Sequence, residues 1–178
     1  MRRISYILLI GFILINLVAC KNKEKVSETS NPVNKVEDKL IGAVSSESID
    51  TKSMTKLDEF TYDIDLDNSD ENIELYTAAG RNGDGEMVWD DGQNWLLVVR
   101  DGEKAYPVLS EYVQLGSVYF AISNNGVGEA TNINVIISTG AGHSLRTYTF
   151  RKDKGGFLGG TVYKSKDTNF IHSSIPGY

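Results

Sequence analysis

The sequence predicts an all-β fold: a small antiparallel sheet or sandwich, or a propeller-blade-like domain, placed after a leader segment and a disordered linker. Three observations predict it. Beyond residue 59 the apolar residues come in short runs rich in β-branched and aromatic side chains. Turn-forming pairs such as Asp101-Gly102 and Asn125-Gly126 separate these runs. No apolar stretch there repeats at helical spacing. About 120 residues remain beyond residue 56, enough for one modest domain. A full propeller needs several four-stranded blades, and this is too short for one.

The elements follow in chain order. Residues 60–66 and 73–77 read as strands, with a long loop between Leu75 and Trp95. Trp95-Leu96-Leu97-Val98-Val99 is a strand that ends at Asp101-Gly102. Residues 103–109 return, with Tyr106 and Val108 on one face; strand, Asp-Gly, strand is the strongest short hairpin signal. Residues 118–123 are a strand closed by Asn124-Asn125-Gly126. Along 132–138, Ile133, Val135 and Ile137 share one face and Ile136 takes the other. A glycine-rich turn over 139–144 leads into a strand at 144–151; 152–156 is a turn cluster and 157–164 a final strand.

The N-terminus has a different character. Met1-Arg2-Arg3 is a short cationic start, and residues 4–18 are mostly apolar and uncharged. Leu17-Val18-Ala19 then precedes Cys20, the only cysteine in the chain. A transmembrane anchor needs about 20 apolar residues, and this run is shorter and holds Ser5, Tyr6, Gly11 and Asn16. A basic start, an apolar stretch and a small-residue end describe a secretory signal over 1–19. Leu17-Val18-Ala19-Cys20 resembles the lipobox of bacterial lipoproteins. The resemblance implies a diacylglyceryl lipid on the Cys20 sulfur, cleavage before it and acylation of the new N-terminus. It further implies attachment to the cell membrane through that lipid, on the exported side. With one cysteine no disulfide forms within the chain. Residues 20–56 are rich in Ser, Thr, Lys, Glu and Asn, and are expected to be a disordered tether, with a short helix over 36–43 as the alternative within it. The all-β domain is expected over 57–178.

The formal net charge is -6, and falls to -8 once Arg2 and Arg3 leave with the signal. This argues against nucleic acid as a partner, because phosphate binding needs basic clusters.

The densest acidic run is 63–75: Asp63, Asp65, Asp67, Ser69, Asp70, Glu71 and Glu74 crowd a dozen residues. It resembles the calcium loops of FG-GAP and VCBS-type extracellular β-repeats, in which alternate oxygen-bearing side chains converge on Ca²⁺. The resemblance implies Asp65, Asp67 and Ser69 as the first three ligands, then Glu71 and Glu74. Asp70 stands where such loops carry glycine, and Ser69 where they carry a third acid. The alternative is a solvated Asp/Asn turn between strands. A second cluster alternates Asn82, Asp84 and Glu86. Trp89 and Trp95 end that loop beside Asp90, Asp91, Gln93 and Asn94; they suit either a surface-glycan or protein-binding face or the closure of a core edge.

Enzyme signatures are weak. Gly142-His143-Ser144-Leu145-Arg146 begins like a nucleophile elbow, but Arg146 replaces its last glycine. His143 and His172 have no zinc spacing. No catalytic residue is assigned. The expected role is a membrane-anchored envelope lipoprotein with a non-enzymatic binding domain. A carboxylate-based envelope hydrolase and a structural lipoprotein are the alternatives.

Overall fold

The computed structural model describes residues 38–165. The leader, Cys20 and His172 lie outside the described residues. Among the described residues twelve strands form: β1 (Lys39–Gly42), β2 (Val44–Ser45), β3 (Thr55–Tyr62), β4 (Glu71–Thr77), β5 (Gly80–Arg81), β6 (Met87–Val88), β7 (Gly92–Asp101), β8 (Lys104–Gln114), β9 (Gly116–Ser123), β10 (Asn132–Thr139), β11 (Gly142–Arg151) and β12 (Gly156–Lys164). The protein is all-β, as its short apolar runs require.

Two five-stranded sheets run β1-β12-β11-β10-β9 and β2-β8-β7-β4-β3, and β5-β6 is a separate hairpin. Every pairing is antiparallel. Each large sheet is therefore a four-stranded meander plus one short N-terminal strand. Only Ala43 separates β1 from β2, so a seven-residue segment serves both sheets.

The alternation read from sequence decides what is buried. Ile73 and Leu75 of β4, Trp95, Leu97 and Val99 of β7, and Ile133, Val135 and Ile137 of β10 meet in one core. Tyr148 and Phe157 join them from β11 and β12. Tyr106, Phe150 and Phe157 pack edge to face, with ring centroids 5.2–5.8 Å apart. The core draws on both sheets, so they pack face to face as a sandwich.

The β7–β8 hairpin turns where the Asp-Gly pair predicts, with Asp101 opposite Lys104 and Gly102 at φ 55°. From β8 the chain switches sheets through one residue, Leu115, at φ 48°. Its N–H donates to the Asp91 carbonyl (2.7 Å) and its carbonyl accepts from Gly140 (3.1 Å). Gly116 follows because a Cβ there would strike the Ser138 carbonyl.

Several expectations change. The segment read as tether contributes β1, β2 and the start of β3, so the folded part begins well before residue 57. The 36–43 helix is replaced by β1 over its described part. The first strand runs over Thr55–Tyr62 rather than 60–66, and the loop before Trp95 contains β5 and β6. The reason for the early start lies on the outer face of the second sheet. Tyr76, Leu96, Val98 and Ala105 form a second buried cluster there, covered by Ile49 and Met54. The polar 44–54 stretch supplies few apolar groups, but enough to cover that strip.

An ionic network beside the strip involves the same segment. The Glu74 carboxylate, buried on β4, accepts from Lys56 (2.8 Å), Arg100 (2.7 Å), Tyr76 (2.9 Å) and Asn72 (3.2 Å). Arg100 also donates to the Ser46 hydroxyl (2.7 Å) and carbonyl (3.2 Å), tying residue 46 to the sheet. Burial alone would raise the Glu74 carboxyl; the bonds from Lys56, Arg100 and Tyr76 outweigh it and hold the group below its ordinary value.

Glu74→Ala is expected to cost about 2 kcal/mol in urea unfolding, because Arg100 and Tyr76 lose a buried acceptor, while Arg100 keeps Ser46 and the part-exposed Lys56 keeps Glu59. A carboxylate held low when folded stabilises above its unfolded value and loses that contribution as pH falls through the folded one. The acid limb of a stability–pH curve should therefore be shallower in Glu74→Gln than in wild type. An unchanged limb would remove Glu74 from the network.

Candidate metal centre

The loop 63–70 joins β3 to β4. Its one apolar side chain pointing inward is Ile64, 2% exposed and part of the main core. Seating Ile64 draws the backbone inward and carries Asp63 and Asp65 with it. Asp63 then organises the turn: its carboxylate accepts from the N–H groups of Asp67 and Asn68, both at 3.0 Å. Asp67 in turn accepts from the Ser69 N–H (2.8 Å). Two residues take the left-handed conformation, Leu66 (φ 61°) and Asn68 (φ 71°). Lys152, in the turn between β11 and β12, donates to the Leu66 carbonyl at 3.0 Å and holds the loop from outside.

Glu71 opens β4 on its inner face and is 3% exposed. One oxygen, Oε2, accepts from the Ile64 N–H at 2.7 Å. The other, Oε1, is buried without a hydrogen-bond partner, and so is Oδ1 of Asp65. Ligand oxygens of Asp63, Asp65 and Glu71 all lie within 4.8 Å of one another. Burial, opposed by the bond from Ile64, pushes the Glu71 carboxyl up to about 7. Burial and then the Asp67 charge raise Asp65. Three converging carboxylates, two with bare buried oxygens, can surround a hard cation.

Of the ligands expected from sequence, Asp65 and Glu71 come together here. Asp67 and Glu74 are not part of that group. Asp67 is engaged in its own turn, Ser69 takes part through its backbone, and Glu74 points to the opposite face of β4 into the network with Lys56 and Arg100. The strand period accounts for Glu74: it is three residues from Glu71, so the two face opposite ways. Asp63 was missing from the expected set. The tight position of the loop is Asn68, not Asp70, and this shifts the register two residues toward the N-terminus. Asn tolerates the left-handed region as few other residues do, and in sequence that was the available signal.

The second acidic loop is a turn built by one amide. Asn82 Oδ1 accepts from the N–H groups of Asp84 and Glu86, each at 2.9 Å. The Asn82 amide also donates to the Glu86 carboxylate at 3.2 Å. Trp95 is a core residue, 1% exposed, which corrects its reading as a surface contact. Trp89 stacks on it at 5.9 Å and 14° and is 41% exposed. His143, Ser144 and Arg146 lie along strand β11 rather than on an elbow. Arg146 there makes a two-point pair with Glu111 across the sheets, at 2.8 and 3.1 Å. Among the described residues no helix is long and apolar enough to cross a membrane. No protein-family model, curated protein or solved structure matches the chain.

In metal-free buffer Glu71 is expected to lower stability as pH rises from about 4.5 to about 7, because the folded state holds its proton longer than the unfolded one. Glu71→Gln should thus raise the melting temperature at pH ~8 while changing it little at pH ~4. Glu71→Ala should lower stability at both, by about 2 kcal/mol, since the Ile64 N–H loses its acceptor. Equal behaviour of the two variants would contradict the buried-charge account.

Proposed function

We propose that this chain is a cell-envelope lipoprotein, held to the membrane by lipid on Cys20, whose β-domain is a non-enzymatic binding module with a Ca²⁺-steadied loop. The supporting observation is the pair of buried, unpartnered oxygens, Asp65 Oδ1 and Glu71 Oε1, beside Asp63. A buried carboxylate oxygen without a donor is costly, and a hard cation removes that cost. Asp63, Asp65 and Glu71 would hold it. Oxygens bound at about 2.4 Å to one Ca²⁺ stand no more than about 4.8 Å apart, which the cluster satisfies. Mg²⁺ demands a tighter octahedron and gives up its waters reluctantly. Three carboxylates and a water-completed shell correspond to the weak affinities of extracellular modules, about 10⁻⁴–10⁻³ M. Such a site fills outside the cell, where the Leu17-Val18-Ala19-Cys20 segment would send the chain. Seventeen residues separate Cys20 from Asp38, a reach of at most ~60 Å for an extended chain.

Calcium at about ten times its Kd should add ~1.4 kcal/mol, or a few degrees of melting temperature, reversed by a chelator. Asp65→Ala and Glu71→Gln should abolish the rise. No calcium response in wild type would remove the metal from the reading. Separately, Cys20→Ser should end lipid labelling and release or strand the precursor. Continued anchoring and processing of that variant would overturn the lipoprotein assignment.

A further inference from the structure

Away from the acidic loop, the two sheets part along one side. β1 pairs with β12 and β2 with β8, and only Ala43 lies between β1 and β2. β1 and β8 therefore diverge from that point. A groove of ≈ 640 Å³ opens in the gap, within the size range of ligand clefts. Val108, Leu109 and the buried Tyr148 form its apolar part. Gly159 adds no side chain to the β12 wall, and a Cβ there would strike the Tyr148 ring.

The groove carries charges where a sandwich normally carries apolar side chains. Lys39 stands opposite Gly159, and Gly159 opposite the core residue Tyr148, so all three share the inner face of their sheet. Ser144, Arg146 and Tyr148 alternate along β11, and Lys164 stands opposite Ser144, so Lys164 shares that face too. Among the described residues Glu111 is the one carboxylate lining the groove, and both its oxygens accept from Arg146. Among the described residues Lys39 and Lys164 form no ion pair. In a chain of net charge -6, this groove is cationic.

The opposite wall offers backbone. β8 meets β2 only at Lys104 and Ala105, and beyond them its outer edge carries no strand among the described residues. The Ala78 N–H donates to the Asn94 carbonyl at 2.9 Å. Asn94 thus turns its backbone away from β8, and Tyr112 opposite it turns its own outward. Ser110, two residues earlier, is aligned the same way and lines the groove. A backbone donor and acceptor at Ser110 therefore face the opening.

We propose that this groove docks an extended acidic peptide segment of a partner protein, which adds as a strand to β8 at Ser110 and Tyr112 and turns its carboxylates toward Lys39 and Lys164. The inference rests on the binding-module reading above and supplies its partner class. Strand addition gives affinity through the backbone. The inward lysines then select the charge of the segment, because a basic one would meet like charges.

The test is fluorescence anisotropy of a dye-labelled eight-residue peptide alternating Glu and Val, titrated with the full-length mature chain. Parallel arms use the Lys–Val peptide, the Glu–Val peptide N-methylated on alternate residues, and a peptide of the chain's own residues 166–178. The Glu–Val peptide should bind below about 1 mM and weaken several-fold between ~50 and ~300 mM salt. The Lys–Val and N-methylated peptides should bind at least about tenfold more weakly. The double substitution Lys39→Gln, Lys164→Gln should weaken Glu–Val binding about fivefold and flatten its salt dependence. Ser110→Pro removes an outward N–H and leaves the ladder to β7 intact, so the melting temperature should hold while binding falls. Absence of Glu–Val binding, or equal binding of the Lys–Val peptide, overturns the proposal. Glu–Val binding that both variants leave unchanged overturns the groove yet keeps the binding module, whereas silence in every arm counts against both. Tighter binding of the 166–178 peptide, or a dimer in sedimentation that Ser110→Pro abolishes, would make this chain itself the occupant and overturn the partner.

Discussion

Strand β7 is apolar on both faces, and much of the architecture answers that constraint. Trp95, Leu97 and Val99 enter the main core, while Leu96 and Val98 emerge on the other side of the sheet. A strand of this kind must be covered twice. The first cover is the whole opposite sheet, β1-β12-β11-β10-β9. The second is the 44–54 segment, whose Ile49 and Met54 close the smaller cluster. Ladder bonds alone would hold that segment weakly, since β2 is two residues long. The Arg100–Ser46 bonds and the Glu74 network supply the remaining attachment.

The same logic sets the acidic loop. Ile64 belongs to the core, and the backbone must descend to deliver it. The descent buries polar groups, and Glu71 satisfies the Ile64 N–H from the first position of β4. That solution has a consequence: a carboxylate used as a backbone acceptor in a dry place leaves its second oxygen bare. Asp65, the next residue, is brought in beside it. The cluster is thus a product of how the loop is fastened, and its electrostatic tension makes it receptive to a cation. Turn-making and the proposed cation-holding draw on one set of oxygens, with Asp63 serving the turn on both of its own.

Much of the fold was legible. The alternation of Ile133, Val135 and Ile137 and the Asp101-Gly102 pair specify local periods and turns, and these survive because the core rewards them. Glycine-bearing turns at 140–142 and 155–156 fall where composition places them. The edges were less legible. The 44–54 segment looks like linker because its composition is polar, and a strip needing only two apolar side chains does not require more. At the site, Asp65 and Glu71 were within reach of pattern reading. Glu74 was misassigned because spacing along a run of acids says nothing about which face each occupies until the strand's start is known. Trp89 and Trp95 suit either an exposed face or the closure of a core edge, and the place of Trp95 on β7 puts it inside and leaves Trp89 half exposed.

The sequence by itself determined the class of the domain, the order of most strands, the absence of any intrachain disulfide and the net acidic character. These depend on local period, turn chemistry, residue counts and charge. The tertiary structure decided which strands pair, where the folded part begins, which acids converge and which aromatic ring is left uncovered. Those depend on contacts between residues far apart in the chain: β4 against β7, residue 46 against Arg100, Lys152 against Leu66. No local pattern encodes such pairings, because each is selected by burying the two faces of β7 at once.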